Sequence, residues 1–279
     1  MTTLYSSIYA RLCPIYDEHE AKALARIVIE DVLDLSFTRV LAGLEPKPTS
    51  EQSAQVNDVI NRLLHHEPIQ YIIGRTMFCN LSVSVNPHVL IPRPETEQLV
   101  SIATSLFADL NDINVMDACT GSGCIALAIK HERPGWHVEA CDISKEAVAT
   151  ARYNATLNDL DVMIHVADIL SDNLPSATYD LLVSNPPYVM EAEKATMSPN
   201  VLYHEPSLAL FVADGNPLLF YTALANWGRK ALSDNGFLLV EINHLLAPQT
   251  ADLFKQHDYS EVSVINDCFD KPRFILCQK

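Results

Sequence analysis

Two stretches of this chain carry residue types that could do chemistry together. The first is Asn185-Pro186-Pro187-Tyr188, which follows the apolar run Tyr179-Asp180-Leu181-Leu182-Val183-Ser184. That run reads as a buried strand. Each proline ring fixes φ, and the second keeps the first out of the helical region. The carbonyls just past the strand are therefore consumed by neither a helix nor a ladder. Asn185 adds a carboxamide with one acceptor oxygen and two N–H donors. The result is a stiff, acceptor-rich edge at the carboxyl end of a strand, where open α/β sheets bind ligands. A lone Pro-Pro pair would read as a stiffened loop. The second stretch, upstream, changes that reading. In Asp117-Ala118-Cys119-Thr120-Gly121-Ser122-Gly123, two of the chain's eight glycines sit with one residue between them. Glycine lets the backbone turn sharply and lets a ligand approach closely. The apolar helix that follows offers free N–H groups at its start.

Asp142 closes the next strand and is suited to accept hydrogen bonds from two ribose hydroxyls. Asp168 closes the third strand, beside the same crevice. This arrangement admits two ligands. Gly121-Ser122-Gly123-Cys124-Ile125-Ala126 formally matches the dinucleotide pattern G-x-G-x-x-G/A. S-adenosylmethionine would use the same ribose contact, with the glycine turn against its methionine part. The fourth strand end discriminates. A dehydrogenase has no evident use for Asn185 to Tyr188, whereas a methyltransferase acting on a planar amide or amino nitrogen does. An amide nitrogen is a poor nucleophile because its lone pair is delocalised. The Asn185 oxygen and the Pro186 carbonyl could each accept one N–H of an –NH2 group and so fix the nitrogen for attack. Positioning of this kind contributes up to roughly 7–11 kcal/mol in ideal cases. Tyr188 offers a flat face for a planar group. Arg93 lies between two rigid rings in Leu90-Ile91-Pro92-Arg93-Pro94-Glu95-Thr96-Glu97. It reads either as a solvated linker residue or as a functional Arg on a rigid arm, and spacing alone leaves both open.

Positioning these groups requires a repeated β-α frame, and the pattern beyond Glu97 supplies one. Strands are expected at Asn114–Asp117, His137–Asp142, Val162–Asp168, Tyr179–Ser184 and Phe237–Ile242. Helices are expected at Cys124–Glu132, at Ser144–Asn158 with Ser144 as cap, at Pro217–Leu232 closed by Asn235-Gly236, and at Pro248–Gln256. Alternating units with short links mean a mostly parallel sheet covered on both faces. Val262–Ile265 and Phe274–Leu276 follow without a clear helix between them, which adds an antiparallel partner. Residues 1–73 read as a small helical domain. Ala21 to Leu35 is one amphipathic run. Thr49-Ser50-Glu51-Gln52 resembles a capping box ahead of the apolar face Val56, Val59, Ile60, Leu63 and Leu64. Leu44-Glu45-Pro46-Lys47-Pro48 is a connector. Residues 74–97 form a separate hairpin and proline-rich arm, with Leu81 to Val85 alternating as a half-buried strand and Pro94 opening a helix. Residues 98–279 form the larger domain.

The totals narrow the function. The 279 residues exceed the common domain size of roughly 100–150, so two unequal domains are expected. The formal net charge is −16. So acidic a surface repels phosphate backbones and disfavours direct nucleic-acid binding. Seven scattered cysteines without a C-x-x-C read as reduced thiols in a cytoplasmic protein. No apolar run approaches the ~18 residues of a membrane span, no basic cluster precedes an apolar block at the N-terminus, and no metal site is expected.

With these residues assembled, the chain resembles the PrmC/HemK family over nearly its whole length. The resemblance is carried by Pro68-Ile69-Gln70-Tyr71-Ile72-Ile73-Gly74, the Leu90–Glu97 arm, Asp117 to Gly123, Asp142, Asp168, Asn185 to Tyr188, His204-Glu205-Pro206 and Asp214-Gly215. The arm discriminates most, because Asn-Pro-Pro-Tyr is shared with methyltransferases acting on adenine N6. The resemblance implies a class I, Rossmann-like methyltransferase with a seven-stranded sheet and a helical N-terminal domain. It implies methyl transfer from S-adenosylmethionine to the N5 nitrogen of the glutamine in the Gly-Gly-Gln loop of peptide chain release factors. Cys119, Thr120, Gly121, Ser122, Gly123, Asp142, Asp168, Ile169 and Asn185 would then hold the cofactor. Asn185 to Tyr188 and Arg93 would hold the substrate. Two departures stand out: the family usually has glycine at Cys119 and often a large or aromatic residue at Ile169. Rival readings are an adenine-N6 methyltransferase of nucleic acids and a non-catalytic binding module.

Overall fold

The computed structural model describes residues 4–44, 48–171 and 174–279. The connector expected at Leu44 to Pro48 lies largely outside these. Two compact units emerge. One comprises residues 1–74 with 198–204, the other residues 75–197 with 205–279. Residues 75–97, expected as an independent arm, thus fall within the larger unit.

The smaller unit is helical: α1 (Leu4–Leu12), α2 (Glu18–Ile27), α3 (Phe37–Leu41), α4 (Ser50–Leu64) and α5 (Ile69–Ile73). Asp17 caps α2 by accepting from Glu20 N. The Thr49–Gln52 capping box forms at α4, with reciprocal bonds of 3.1 and 3.0 Å. The single helix expected over Ala21–Leu35 is interrupted, because after Ile27 the chain widens into a π-helical turn, Val28–Val32. β-Branched side chains crowd the preceding turn of a regular helix, and the widening leaves Val28, Ile29 and Leu33 all buried. Gly74 ends α5 at φ +75°.

The larger unit begins with the hairpin β1 (Arg75–Phe78) and β2 (Leu81–Ser84), whose register pairs Arg75 with Ser84. Then come α6 (Glu97–Leu106), β3 (Asn114–Ala118), α7 (Cys124–Glu132), β4 (His137–Asp142), α8 (Lys145–Leu157), β5 (Met163–Val166) and β6 (Tyr179–Ser184). After β6 lie β7 (Val189–Met190), α9 (Pro199–His204), α10 (Ser207–Leu210) and β8 (Phe211–Val212). Of these, α9 belongs to the helical unit, where the His204 ring donates to the His65 carbonyl at 2.9 Å. The chain closes with α11 (Leu219–Ala231), β9 (Leu232–Glu241), α12 (Ala247–Gln256), β10 (Ser260–Asn266) and β11 (Pro272–Gln278).

Seven strands form one sheet in the order β10-β11-β9-β6-β3-β4-β5. The pairs β9–β6, β6–β3, β3–β4 and β4–β5 are parallel, while β11 runs antiparallel to both β9 and β10. This is the doubly wound arrangement expected, with an antiparallel partner at one edge. Leu181, Leu182 and Val183 on the central strand are fully buried, and Tyr221, Leu224, Trp227 and Phe254 from α11 and α12 pack over the sheet. In this sheet one expectation about a helix end fails. Asn235-Gly236 does not close α11, which ends at Ala231. Tyr179 pairs with Leu232 but Leu181 with Phe237, so the pair sits inside a bulge of β9. Asn235 takes φ +65° there, a conformation asparagine tolerates better than most residues.

Candidate active site

The chemistry expected of the sequence meets at the carboxyl ends of β3, β4 and β6. The sheet itself places it. Ala118 pairs with both Cys141 on β4 and Ser184 on β6, so the turns that follow start side by side. The Ser184 hydroxyl donates to the Ala118 carbonyl at 2.7 Å, which locks the two strand ends together. A cavity of about 440 Å³ opens over them. That volume lies in the range typical of ligand pockets. Its wall includes Cys119, Thr120, Gly121, Ser122, Asp142, Asp168, Ile169, Asn185, Pro187 and Arg93. Gly123, Pro186 and Tyr188, also singled out by sequence, do not line it. Gly123 instead faces α8, where a Cβ would meet the Ala151 methyl at 3.0 Å.

The glycine turn is built by backbone conformations unusual for L-residues. Cys119, Gly121 and Gly123 all have positive φ, at +59°, +55° and +84°. A Cβ on Gly121 would meet nothing within 4 Å, so its φ, not crowding, calls for glycine. Beneath the turn Asp117 is fully buried and accepts from the Thr120 hydroxyl at 2.6 Å and from Ala126 N at 3.2 Å. Burial pushes its carboxyl up to about 7, against the pull of those two donors. Asp142 accepts from Gly121 N and from Ser144 N, each at 2.9 Å. Burial raises its pKa, partly offset by these bonds. Each oxygen keeps a lone pair for a further donor. Asp168 accepts from Leu170 N at 2.9 Å, and buried Ile169 supplies an apolar wall. Burial, followed by the charge of Asp142, holds the Cys119 thiol well above its usual range. It is therefore a neutral side chain, not a nucleophile.

Four residues to which the sequence reading gave no role of their own organise this site. Glu205 is buried and accepts from the Arg93 guanidinium at 2.6 Å and from Ile91 N at 3.3 Å. Arg93 is thus neither a free linker residue nor an unrestrained arm. Asn154 on α8 is fully buried and accepts from Ser84 N at 2.8 Å. Its amide donates to Ser84 O and Ser122 O at 3.0 and 2.9 Å, tying the hairpin to the glycine turn. Glu241, at the end of β9, accepts from Tyr188 OH at 2.9 Å and from Thr96 Oγ1 at 2.7 Å. Thr96 in turn lies 3.4 Å from Asn185 Nδ2. A signal for Glu241 existed, since it is an acid closing an apolar strand, as Asp142 is. Nothing local in the sequence pairs Glu205 with Arg93 or Asn154 with Ser122.

Comparison with known proteins agrees with this architecture. Residues 7–74 match the family described as PrmC N-terminal domain, and residues 97–208 match the Methyltransferase small domain. A release factor glutamine methyltransferase of Bacteroides thetaiotaomicron is 38% identical over 280 residues, covering 100% of both chains. The chain belongs to the release factor glutamine methyltransferase family. The relative of the same name from Streptococcus pneumoniae is 37% identical, covering 99% of this chain and 97% of its own. Among solved structures, a methyltransferase from Pyrococcus furiosus superposes with a TM-score of 0.55 at 16% identity, covering 80% of this chain and 98% of its own, which speaks to the fold. The seven-stranded sheet is accordingly that of a class I methyltransferase. No helix among the described residues is long and apolar enough to cross a membrane.

Proposed function

We propose that this protein transfers a methyl group from S-adenosylmethionine to the side-chain N5 nitrogen of the glutamine in the Gly-Gly-Gln loop of peptide chain release factors. The observation that carries the reading is the register Ala118 to Ser184. It brings a glycine turn suited to the cofactor and an acceptor edge suited to an amide into one cavity. The residues fit the cofactor. Gly121 presents an open backbone surface, Asp142 keeps lone pairs for ribose hydroxyls, and Ile169 offers an apolar wall to a base. When bound, S-adenosylmethionine supplies an electrophilic methyl group on a sulfonium. The protein's task is positioning. Asn185 Oδ1, on the cavity wall, accepts one N–H of the substrate amide, and the Pro186 carbonyl, the next acceptor along the chain just off that wall, takes the other, so the nitrogen is held in one orientation. Tyr188, packed against the core behind this edge, braces it through its hydroxyl bond to Glu241. Arg93, held by Glu205, keeps further N–H donors for carbonyls of the substrate loop. An acidic protein of this charge is suited to a protein substrate more than to a phosphate backbone.

Incubation of release factor with the protein and labelled cofactor, read by mass spectrometry, tests this. The expected result is one methyl on the Gly-Gly-Gln glutamine, lost in Asn185→Ala. Methyl transfer to adenine in nucleic acid but not to release factor would overturn it, as would an Asn185→Ala variant that behaves like the wild type.

A further inference from the structure

Asn185 carries two chemically opposite ends on one planar group, and only its oxygen can accept an N–H. Something must decide which end faces the ligand. The hydrogen-bond directions around Glu241 make that decision. Glu241 is buried at the end of β9, and its carboxylate can only accept. The Thr96 hydroxyl donates a hydrogen bond to it at 2.7 Å and the Tyr188 hydroxyl another at 2.9 Å. Burial raises the Glu241 pKa, while these two hydrogen bonds and the charge of Arg273 pull the other way, toward the carboxylate. Thr96 has a single hydroxyl proton. Once that proton is committed to Glu241, Thr96 can only accept from its other neighbour. The end of Asn185 turned to Thr96 at 3.4 Å must then be the –NH2 end, and Oδ1 is left for a ligand.

We propose that Thr96 and Glu241 are positioning residues that fix the orientation of the Asn185 carboxamide, so that its oxygen and not its nitrogen meets the substrate amide. The direction runs one way, from a buried acceptor-only group through a one-proton hydroxyl to the carboxamide. This deepens the proposed function and rests on its assignment of Asn185. It also joins the proline-rich arm to the Asn185 loop through a residue on a third element. The acceptor edge read from sequence is incomplete without it.

The test compares kcat, substrate KM and cofactor Kd for Thr96→Val, Thr96→Ser, Glu241→Gln and the double variant Thr96→Val with Glu241→Gln. Glu241→Gln can donate to Thr96 and so release the Thr96 proton toward Asn185, which rewards the flipped carboxamide. One such bond preference corresponds to about a tenfold loss of kcat. Thr96→Val only frees the carboxamide, which then divides between two orientations. Its kcat is expected to fall by less than Glu241→Gln, while Thr96→Ser stays near wild type. The double variant is expected to match Thr96→Val alone, because without the hydroxyl the reversal cannot be transmitted. Cofactor Kd is expected to move less than kcat in every variant. Multiplicative losses in the double variant, or wild-type kcat in both single variants, would overturn the proposal. Should Glu241→Gln fail to fold, equal kcat for Thr96→Val and Thr96→Ser would do the same. Full activity in Asn185→Ala would instead remove the underlying assignment of Asn185, a result distinguishable from either.

Discussion

Replacing Asn154 with alanine should weaken the larger unit and its glycine turn together. The side chain is fully buried on α8 and makes three hydrogen bonds, to Ser84 N, Ser84 O and Ser122 O. Each contributes roughly 1 kcal/mol net, and burial of the groups left behind adds to that, so about 3–4 kcal/mol is expected. Asn158, one turn on, provides an internal comparison. It is half-buried and gives the hairpin a single bond, to Ser82 O at 3.0 Å, so Asn158→Ala should lose about 1 kcal/mol. Urea unfolding followed by tryptophan fluorescence measures both. The chain's two tryptophans, Trp136 and Trp227, are buried in the sheet-bearing unit, so the signal reports on it selectively. Cofactor titration supplies the second readout. Asn154→Ala should weaken binding because the Ser122 carbonyl is released, whereas Asn158→Ala should not. A loss below about 1 kcal/mol for Asn154→Ala, or equal effects at the two positions, would show that the clamp does not hold the turn.

Two further outcomes follow from the same turn. The folded carboxyl of Asp117 is pushed up to about 7, above its value near 4 in an unfolded chain, so the native state holds the proton more tightly. Stability should therefore fall as pH rises from about 4 to about 7, by on the order of 4 kcal/mol for this group, and level off above. Urea midpoints across that range should show a slope that Asp117→Asn flattens. At Cys119, φ +59° makes side-chain shape decisive. Cys119→Val places a β-branched residue in the left-handed region and should destabilise by roughly 2 kcal/mol. Cys119→Gly should be nearly neutral, since relieved strain is offset by greater freedom of the unfolded chain. Thermal melts of the three proteins check this.

The sheet was legible because its signals are local. The boundaries of Cys124–Glu132, His137–Asp142 and Tyr179–Ser184 were readable from apolar runs and their flanking breakers, and Ser144 and Thr49 announced their helices by capping chemistry. The Asn235-Gly236 bulge was misread because a left-handed asparagine serves a helix end and a strand bulge equally well. In the site, residues that meet at strand ends were legible, since an acid or a proline pair after an apolar run has few other uses. The partners that hold them were not. Glu205 lies 112 residues from Arg93, and Glu241 lies 145 from Thr96. Such pairings are set by how loops return over the sheet, and no periodicity records them.

The pairing of Ala118 with Ser184 has a further consequence. Neighbouring strands in a sheet stand about 4.8 Å apart, a spacing fixed by their backbone hydrogen bonds. The glycine turn and the Asn185 loop each leave the sheet one residue later. The separation of the two loops at their roots is therefore set by a ladder of peptide bonds, as by a ruler. Loop sequences can drift and side chains around the cavity can change the guest, while that spacing stays constant.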